Sequence, residues 1–367
     1  MEEDLKKKFE KDLVEASQEV KHPNILLVGN TGAGKSTLIN TIFGKKIAEI
    51  SDVKPETRGF HLYTSPNLTV NIIDSEGYEL NNEESFKKSL NEFIDANFSD
   101  LTKQIHICWY CISIGSHRVL PFDIANIGYL KDGKHIPTAV VFTQCDNDDP
   151  EGSTAKELAE SIRKHFGDSV PCFQTSNDIE INKELDLEAL IDWSAANISD
   201  DNLRLGFIMA QKVSLKEKDQ AAIKRVNWYS AGAAGVGAAP IPCSDAILLT
   251  GLQVKMAADI YKIYGLDNSI SKVMKSFIES KLVSMLGKMV AGNLLKLIPG
   301  LGTAIGASIN AAVAGAITYA MGRGIAYLCH KAVVACWEGD NEMLEAIFTP
   351  ENLEKAFNEY YKKEEKE

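Results

Sequence analysis

Residues 29–37 read Gly29-Asn30-Thr31-Gly32-Ala33-Gly34-Lys35-Ser36-Thr37 and fit the pattern G-x-x-x-x-G-K-[ST] of a phosphate-binding loop. The apolar run 24–28 predicts a buried strand before this P-loop, and residues 36–43 predict the helix after it. In that setting the glycines turn backbone N–H groups toward a polyphosphate, while Lys35 reaches its β- and γ-phosphates and the Ser36 hydroxyl can bind Mg²⁺. The stretch therefore predicts a nucleoside triphosphate site on a strand–loop–helix unit.

Strand-like and helical segments alternate on both sides of this loop. Strand-like runs lie at 24–28, 68–73, 105–114, 137–143 and 170–174, and helical stretches lie at 36–43, 84–97, 121–131, 154–166 and 186–197. This alternation predicts an α/β domain over residues 22–198, with a mostly parallel sheet covered on both faces. The strand signal then stops. We expect residues 199–367 to form a helical, Ala/Gly-rich domain and residues 1–21 to form a helix that packs with it.

Charge and cysteine content narrow the functional classes. The net charge of −12 argues against nucleic acid as the main ligand, yet residues 200–335 carry 15 basic against 8 acidic residues, a local charge of +7. Seven cysteines without disulfide-framework spacing, and no secretory signal, favour a cytoplasmic location. Cys108 and Cys111 are three apart in a strand-like run, where side chains point to opposite faces, so two buried cysteines are favoured over a metal or redox pair.

Two motifs predict the metal and γ-phosphate contacts. The apolar strand ending Asp74-Ser75-Glu76-Gly77 carries D-x-x-G, in which Asp74 would hold Mg²⁺ through water and the Gly77 amide would meet the γ-phosphate. Thr57 lies between the two motifs, where a switch threonine would complete the Mg²⁺ and γ-phosphate contacts. An N-capping or surface threonine is the alternative.

Two later segments predict recognition of guanine. Thr143-Gln144-Cys145-Asp146 ends a strand and resembles the motif [NT]-K-x-D, in which the carboxylate accepts hydrogen bonds from guanine N1–H and N2–H₂. Gln144 stands where lysine is usual, so the cationic contribution is lost and moderate GTP affinity is expected. The loop that contains Ser176 and Asn177 resembles the final S-A-K loop, which contacts guanine O6. The predicted nucleotide-binding residues are Asn30, Thr31, Gly32, Ala33, Gly34, Lys35, Ser36, Thr37, Thr143, Gln144, Asp146, Ser176 and Asn177.

Taken together, residues 22–198 resemble the Era-like and septin-like branch of P-loop GTPases. The stretch Trp109–Ser113 followed by Arg118 and Asp123 also looks like the G domains of that branch which carry a helical, membrane-associated part. The resemblance implies a Ras-like G domain, GTP or GDP with Mg²⁺ as ligand, Ser36, Thr57 and Asp74 around the metal, and a homodimer through the G domain.

Hydrolysis is expected to be slow in the isolated protein. Ras-type enzymes place a glutamine after D-x-x-G to orient the attacking water, whereas this chain has Tyr78. A dimer partner or another residue must then assist, and the candidates in this chain are Arg58, His117 and Arg118. Arg118 leads because it follows a central strand near the phosphate edge. The predicted catalytic set is Lys35, Thr57, Gly77 and Arg118.

The C-terminal part resembles the helical domain appended to bacterial Era-like GTPases and, more weakly, the immunity-related GTPases of animals. Residues 231–265 carry its small-residue helix and P-x-P-x-x-D turn, and residues 297–306 resemble its Gly-rich hairpin. The charge-free stretch 297–322 is long enough to span a bilayer, but Pro299-Gly300, Asn310 and its low leucine content favour a buried hairpin over membrane insertion. Contact with an anionic membrane stays open because of the local positive charge.

Two other functions remain open from the sequence. The chain could be a self-assembling membrane scaffold or pore in which nucleotide only controls oligomerisation, because the hydrolytic glutamine is missing and Gly-rich hairpins are present. An ATPase is the other alternative, and it rests on Gln144 alone.

Overall fold

The computed structural model describes residues 2–44, 52–57, 59–64, 68–75, 83–98, 103–237, 245–266, 272–291 and 311–364. The chain divides into two compact units, one formed by Val20–Ser214 and the other by Met1–Glu19 together with Leu215–Glu367. The first unit has an α/β fold and the second is built from helices in its described residues. The predicted fold class, a Ras-like α/β domain with a helical part, is confirmed.

A seven-stranded sheet forms the centre of the α/β unit. Its strands are β1 (Asn24–Gly29), β2 (Asp52–Thr57), β3 (Phe60–Thr64), β4 (Asn71–Ser75), β5 (Ile105–Ser113), β6 (Thr138–Thr143) and β7 (Cys172–Gln174). The order across the sheet is β2-β3-β4-β1-β5-β6-β7. The neighbouring strands β4, β1, β5, β6 and β7 run parallel to one another. Strand β2 pairs antiparallel with β3, and β3 pairs antiparallel with β4. The mostly parallel sheet was predicted, but the β2–β3 hairpin was not.

Helices connect and cover these strands. They are α2 (Lys35–Phe43), α3 (Glu83–Phe98), α4 (Pro121–Gly128), α5 (Ser153–Phe166), α6 (Ile179–Asn182), α7 (Leu187–Asn197) and α8 (Asp201–Ala210). Every residue of β1 and β6 is buried, which explains why both strands are almost uninterrupted apolar runs. Cys108 and Cys111 in β5 are buried, as expected, and burial raises the pKa of the Cys111 thiol to about 12.

The α/β unit extends beyond the boundary predicted at residue 198. Helix α8 belongs to it, because the Thr69 hydroxyl donates to the Gly206 carbonyl at 2.7 Å and the Phe207 ring contacts those of Phe43 and Trp109. A Cβ at Gly206 would lie 2.3 Å from the Lys21 carbonyl oxygen, so glycine permits this close approach. The prediction that the chain is helical after residue 200 is correct for the described residues, but the first of these helices, α8, packs on the sheet.

The helical unit combines the N-terminal helix with the C-terminal half of the chain. Its helices are α1 (Glu2–Glu19), α9 (Leu215–Gly237), α10 (Asp245–Ile263), α11 (Lys272–Ala291), α12 (Ala311–Glu338), α13 (Asn341–Ile347) and α14 (Pro350–Glu364). Helix α1 is held on α10 by an edge-to-face contact of Phe9 with Tyr261 and by a 3.0 Å ion pair between Lys255 and Glu19. Among the described helices, none combines the length and the apolar sequence that a membrane span requires.

Helices α9 and α12 pack antiparallel through small residues. Near one end of the pair, the Ser230 hydroxyl donates to the Gly315 carbonyl at 2.9 Å. Near the other end, His330 Nδ1 lies 2.9 Å from the Asp219 carboxylate. A Cβ at Gly322 would lie 2.7 Å from the Val226 side chain, so any larger residue would force the helices apart. The predicted hairpin at 297–306 lies outside the described residues.

Candidate nucleotide site

The P-loop joins the end of β1 to the start of α2 at the carboxyl edge of the sheet. Gly32 and Gly34 have φ angles of 80° and 75°, a left-handed conformation that glycine adopts without strain. The Lys35 ammonium is buried beneath the loop and donates to the carbonyls of Gly29 at 2.8 Å and Asn30 at 3.1 Å. Ser36 and Thr37 are exposed in the first turn of α2, where their hydroxyls are open to a ligand.

Asp74 lies beside this loop, because β4 pairs in parallel with β1 and places Asp74 opposite Leu27. Asp74 is 8% exposed, and its Oδ1 is buried with no hydrogen-bond partner among the described residues; the same holds for Asn30 Oδ1. Burial raises the pKa of Asp74 to about 6, although Lys35 and His61 act in the opposite direction. An orphaned carboxylate oxygen beside a P-loop fits a hydrated Mg²⁺, which prefers oxygen ligands.

The structure accounts for the other predicted γ-phosphate contacts only in part. Thr57 is the last residue of β2, and the pairing of β2 with β3 and of β3 with β4 brings its backbone to the same sheet edge as Asp74. Its side chain, and the whole of Arg58, Gly77 and Tyr78, lie outside the described residues. His61, directly opposite Asp74 in the sheet, was not predicted; only the register of β3 could have revealed it.

The base side of the site is a cavity of about 260 Å³. Its lining combines the start of α2 with the ends of β6 and β7: Gly34, Thr37, Leu38, Thr143, Gln144, Asp146, Asn147, Thr175, Ser176 and Asn177. The buried Thr143 hydroxyl donates to the Ala33 carbonyl at 2.8 Å and ties β6 to the P-loop. Asp146 Oδ1 accepts from the Ser176 hydroxyl at 2.7 Å. The residues predicted to read guanine are therefore brought together at this cavity.

Asn182 supports the loop that carries Ser176. Its buried side chain accepts from the Ser176 N–H at 2.8 Å and donates to the Ser176 carbonyl at 2.6 Å. These two bonds clamp the peptide units on both sides of one residue, so they fix the direction of the Ser176 side chain. Asn182 was not predicted, because it lies in a short helix without a recognisable motif.

Gln144 occupies the lysine position of the guanine motif. It has a left-handed backbone, with φ 61° and ψ 31°. Its Nε2 donates to the Gly32 carbonyl at 3.2 Å, and its Oε1 accepts from the Ser113 hydroxyl at 2.9 Å. Ser113, the last residue of β5, was also missed.

A second cavity, of about 390 Å³, lies on the other side of the P-loop. Thr31, Ser113, Arg118 and Leu120 are among its lining residues. Arg118 and His117 are exposed in the loop after β5, and His117 has a φ of 52°. Asp123, by contrast, is buried and accepts from the Tyr110 hydroxyl at 2.9 Å and the Leu120 N–H at 2.8 Å, so it holds this loop in place.

Within the described ranges no three His, Cys, Asp or Glu side chains are grouped so as to hold a metal ion by themselves. A metal at Asp74 would therefore depend on the Ser36 hydroxyl, water and the phosphates of a ligand. This is the ligand set with which Mg²⁺ is commonly held beside phosphates.

Geometry and motifs together define the class: residues 24–144 form the larger part of a P-loop GTPase domain. The same residues match the sequence profile of the family described as 50S ribosome-binding GTPase. The resemblance to Era-like and septin-like GTPases is thereby confirmed for this part of the chain. The likeness of the helical half to appended or immunity-related domains stays a prediction.

Septins are among the most similar curated proteins. Septin-8-A of Danio rerio is 30% identical over 129 residues, which are 28% of this chain and 30% of the septin. The septin homolog spn2 of Schizosaccharomyces pombe is 23% identical over 198 residues, 46% of this chain and 58% of the relative. The chain thus covers less than two thirds of either relative.

Among solved structures, Era in complex with MgGDPNP and a segment of 16S ribosomal RNA is 20% identical, with a TM-score of 0.34; the match covers 56% of this chain and 67% of that one. An oligomerised bacterial dynamin pair is 11% identical, with a TM-score of 0.33 over 97% of this chain and 85% of that one. TM-scores this low assign neither a fold nor a function.

Proposed function

We propose that this protein binds Mg²⁺·GTP and hydrolyses it slowly, with help from a partner or a second copy. The observation that carries the proposal is the convergence of three groups at one sheet edge: the Lys35 loop, the Asp74 carboxylate and the Asp146 carboxylate. Parallel strands β1, β4 and β6 deliver them to the same edge, which is where α/β sheets bind ligands.

The phosphates would lie in the P-loop. Lys35 would exchange its bonds to the Gly29 and Asn30 carbonyls for bonds to β- and γ-phosphate oxygens. Ser36 and Thr57 would bind the metal, Asp74 would hold it through water, and the Gly77 amide would meet the γ-phosphate. Mg²⁺, when bound, neutralises part of the phosphate charge.

Guanine would enter the 260 Å³ cavity and bond to Asp146. The carboxylate would accept from N1–H and N2–H₂, a pattern that adenine lacks, so bound ATP would forgo both of these hydrogen bonds. Competition between labelled GTP and unlabelled ATP tests this directly. Displacement by ATP at a concentration equal to that of GTP would instead support the ATPase alternative.

Slow, partner-assisted turnover is proposed because Tyr78 stands where a water-orienting glutamine is used in Ras-type enzymes. Arg118 lines the cavity beside the P-loop and is exposed, so a homodimer through the G domain could bring such a residue to the phosphates of its partner. GTP turnover measured against protein concentration should rise more steeply than linearly. Linear, fast turnover, or an Arg118→Ala variant with the turnover of wild type, would count against this route.

We further propose that the helical unit couples the nucleotide state to an anionic membrane surface. Helix α9 carries no charge after Arg225 and α12 carries none before Arg323, and the packing of Gly315 against Ala234 places these charge-free halves side by side. Trp228, 63% exposed, lies within one turn of Arg225. Tryptophan and basic residues that border an apolar end favour a bilayer interface.

Co-sedimentation with phosphatidylserine vesicles, with GTP, with GDP and without nucleotide, tests this coupling. Trp228→Ala should weaken binding, whereas Trp337→Ala, an exposed tryptophan at the opposite end of α12, serves as the matched control. Absence of binding in every nucleotide state would remove the membrane from the proposal. Binding and self-assembly that respond to nucleotide without hydrolysis would favour the scaffold or pore alternative.

A further inference from the structure

We propose that Ser113 is a positioning residue for the guanine nucleotide: its hydroxyl orients the Gln144 amide over the P-loop. The hydrogen bonds from Ser113 to the Gln144 amide and from this amide to the Gly32 carbonyl form an uncharged chain, here called the relay. This relay would take the place of the lysine that the guanine motif usually has. The inference rests on the guanine-nucleotide binding proposed above and identifies a residue that sets its strength.

The hydrogen-bond pattern fixes the direction of the relay. The Gly32 carbonyl can only accept, so the Gln144 group that faces it at 3.2 Å is the NH₂. The amide oxygen must then face Ser113 at 2.9 Å, and the serine has to donate. Ser113 Oγ also accepts from the Gly115 N–H at 3.2 Å, which places the oxygen so that its proton can point to Gln144.

The relay connects three elements around the nucleotide. Ser113 ends β5, Gln144 follows β6, and Gly32 lies in the P-loop that follows β1. Gln144 also lines the base cavity, so the same side chain that holds the loop forms a wall for the base. The neighbouring bond from Thr143 to Ala33 links β6 to the loop a second time.

A glutamine needs this serine more than a lysine would. The terminal torsion of a glutamine is broad, so a lone amide loses orientation, and its donor competes with water on equal terms. A lysine ammonium carries three donors and a charge, and it reaches a carbonyl in any rotation. Gln144 at this position therefore makes the hydroxyl at position 113 part of nucleotide binding.

The test is release of N-methylanthraniloyl-GDP in the presence of Mg²⁺, measured by stopped-flow fluorescence on the full chain. Ser113→Ala should release the nucleotide about three- to tenfold faster, because one hydrogen bond and the order it imposes are lost. Gln144→Ala should do at least as much, and the double variant should be no faster than Gln144→Ala alone. Ser113→Thr keeps a hydroxyl and should release nucleotide at the wild-type rate.

Gln144→Lys provides the most specific comparison, because in a Gln144→Lys background Ser113→Ala should not change the rate of nucleotide release. Ser116→Ala, an exposed serine in the same turn, is the matched control. Melting of the nucleotide-free variants, if unchanged, excludes a merely structural effect. Wild-type release by Ser113→Ala, additive effects in the double variant, or an equal effect in the Gln144→Lys background would each overturn the relay. If wild type itself fails to bind the labelled GDP, it is the proposed guanine-nucleotide binding that falls.

Discussion

On the base side of the site Thr143, Asp146 and Ser176 have hydrogen-bond partners within the protein, whereas on the phosphate side two buried oxygens have no partner in the described part of the chain. Ser176 donates to Asp146 and Thr143 donates to Ala33. Asn30 and Asp74, by contrast, each bury an unpaired Oδ1. The two halves of one nucleotide site therefore meet their ligand in different states.

This difference has an energetic consequence. A buried polar atom without a partner costs about 1–3 kcal/mol, which is recovered only when a ligand supplies the missing bond. The phosphate side thus holds a cost that Mg²⁺·GTP would relieve, and the base side is already ordered before guanine arrives. Stability should respond to changes on the phosphate side, and selectivity to changes on the base side.

The largest effect is expected from Asp146→Asn on the base side. Loss of the double acceptor should weaken GTP binding about 100-fold or more and abolish the preference for GTP over ATP. The measurement is titration with labelled GTP and competition by ATP. Asp168→Asn, whose side chain is 98% exposed, is the matched control. An unchanged preference for GTP would mean that the base is read elsewhere.

On the phosphate side, Asp74→Asn should raise the stability of the nucleotide-free protein. The pKa of Asp74 is about 6 in the native state, above the 3.8 of an unperturbed aspartate, so the native state binds this proton more tightly than the unfolded chain. Ionised Asp74 therefore destabilises the fold above pH 6, and the loss fades as the pH falls toward 4. The nucleotide-free variant should be more stable by about 1–3 kcal/mol at pH 7.5.

Urea unfolding of wild type and Asp74→Asn at pH 4 and pH 7.5 checks this expectation. The difference between them should be largest at the higher pH, and Mg²⁺·GTP should raise the melting temperature of wild type by more than that of the variant. Removal of Mg²⁺ with a chelator should cancel the stabilisation of wild type. A variant that is less stable than wild type at pH 7.5 would show that the Asp74 carboxylate does not carry the cost described above.

Gly32 and Gly34 lie in the P-loop, between the phosphate side and the base side of the site, and Gly34 lines the base cavity. Both Gly32 and Gly34 have a positive φ, so alanine at either position adds strain of roughly 1 kcal/mol. A Cβ at Gly34 would also lie 3.1 Å from Thr143 Oγ1, whereas one at Gly32 would meet nothing within 4 Å. Gly34→Ala should therefore lose more stability than Gly32→Ala in thermal unfolding. Equal losses would show that the Thr143 side chain yields.

Motifs that are local in sequence were predictable, and contacts between distant segments were not. The P-loop and Asp146 follow apolar strands and Asp74 lies near the end of one, so the sequence predicted that all three lie at the carboxyl edge of the sheet. Ser113 acquires its role only through Gln144, 31 positions away, and Asn182 only through the fold of the loop before it.

Two segments of the α/β unit could not be placed from the sequence, for the same physical reason. The β2 strand contains Pro55 and three charged residues, which an edge strand tolerates and a buried one does not, so its sequence shows no apolar run. Helix α8 was assigned to the helical domain because it is a helix, although its glycine packs on the sheet unit. In both cases the position of the segment in the fold depends on the strands and helices that it packs against, and not on its own sequence pattern.

The smallest effect is expected at Thr143, the residue that joins the two halves. Thr143→Val keeps the shape of the side chain but leaves the Ala33 carbonyl without its 2.8 Å bond, so we expect a loss of about 1 kcal/mol in unfolding and a few-fold faster nucleotide release. Thr41→Val, which removes an exposed bond to the Thr37 carbonyl in α2, should change stability by less than about 0.5 kcal/mol. If both variants behave alike, the P-loop is held to the base side by the Gln144 amide rather than by Thr143.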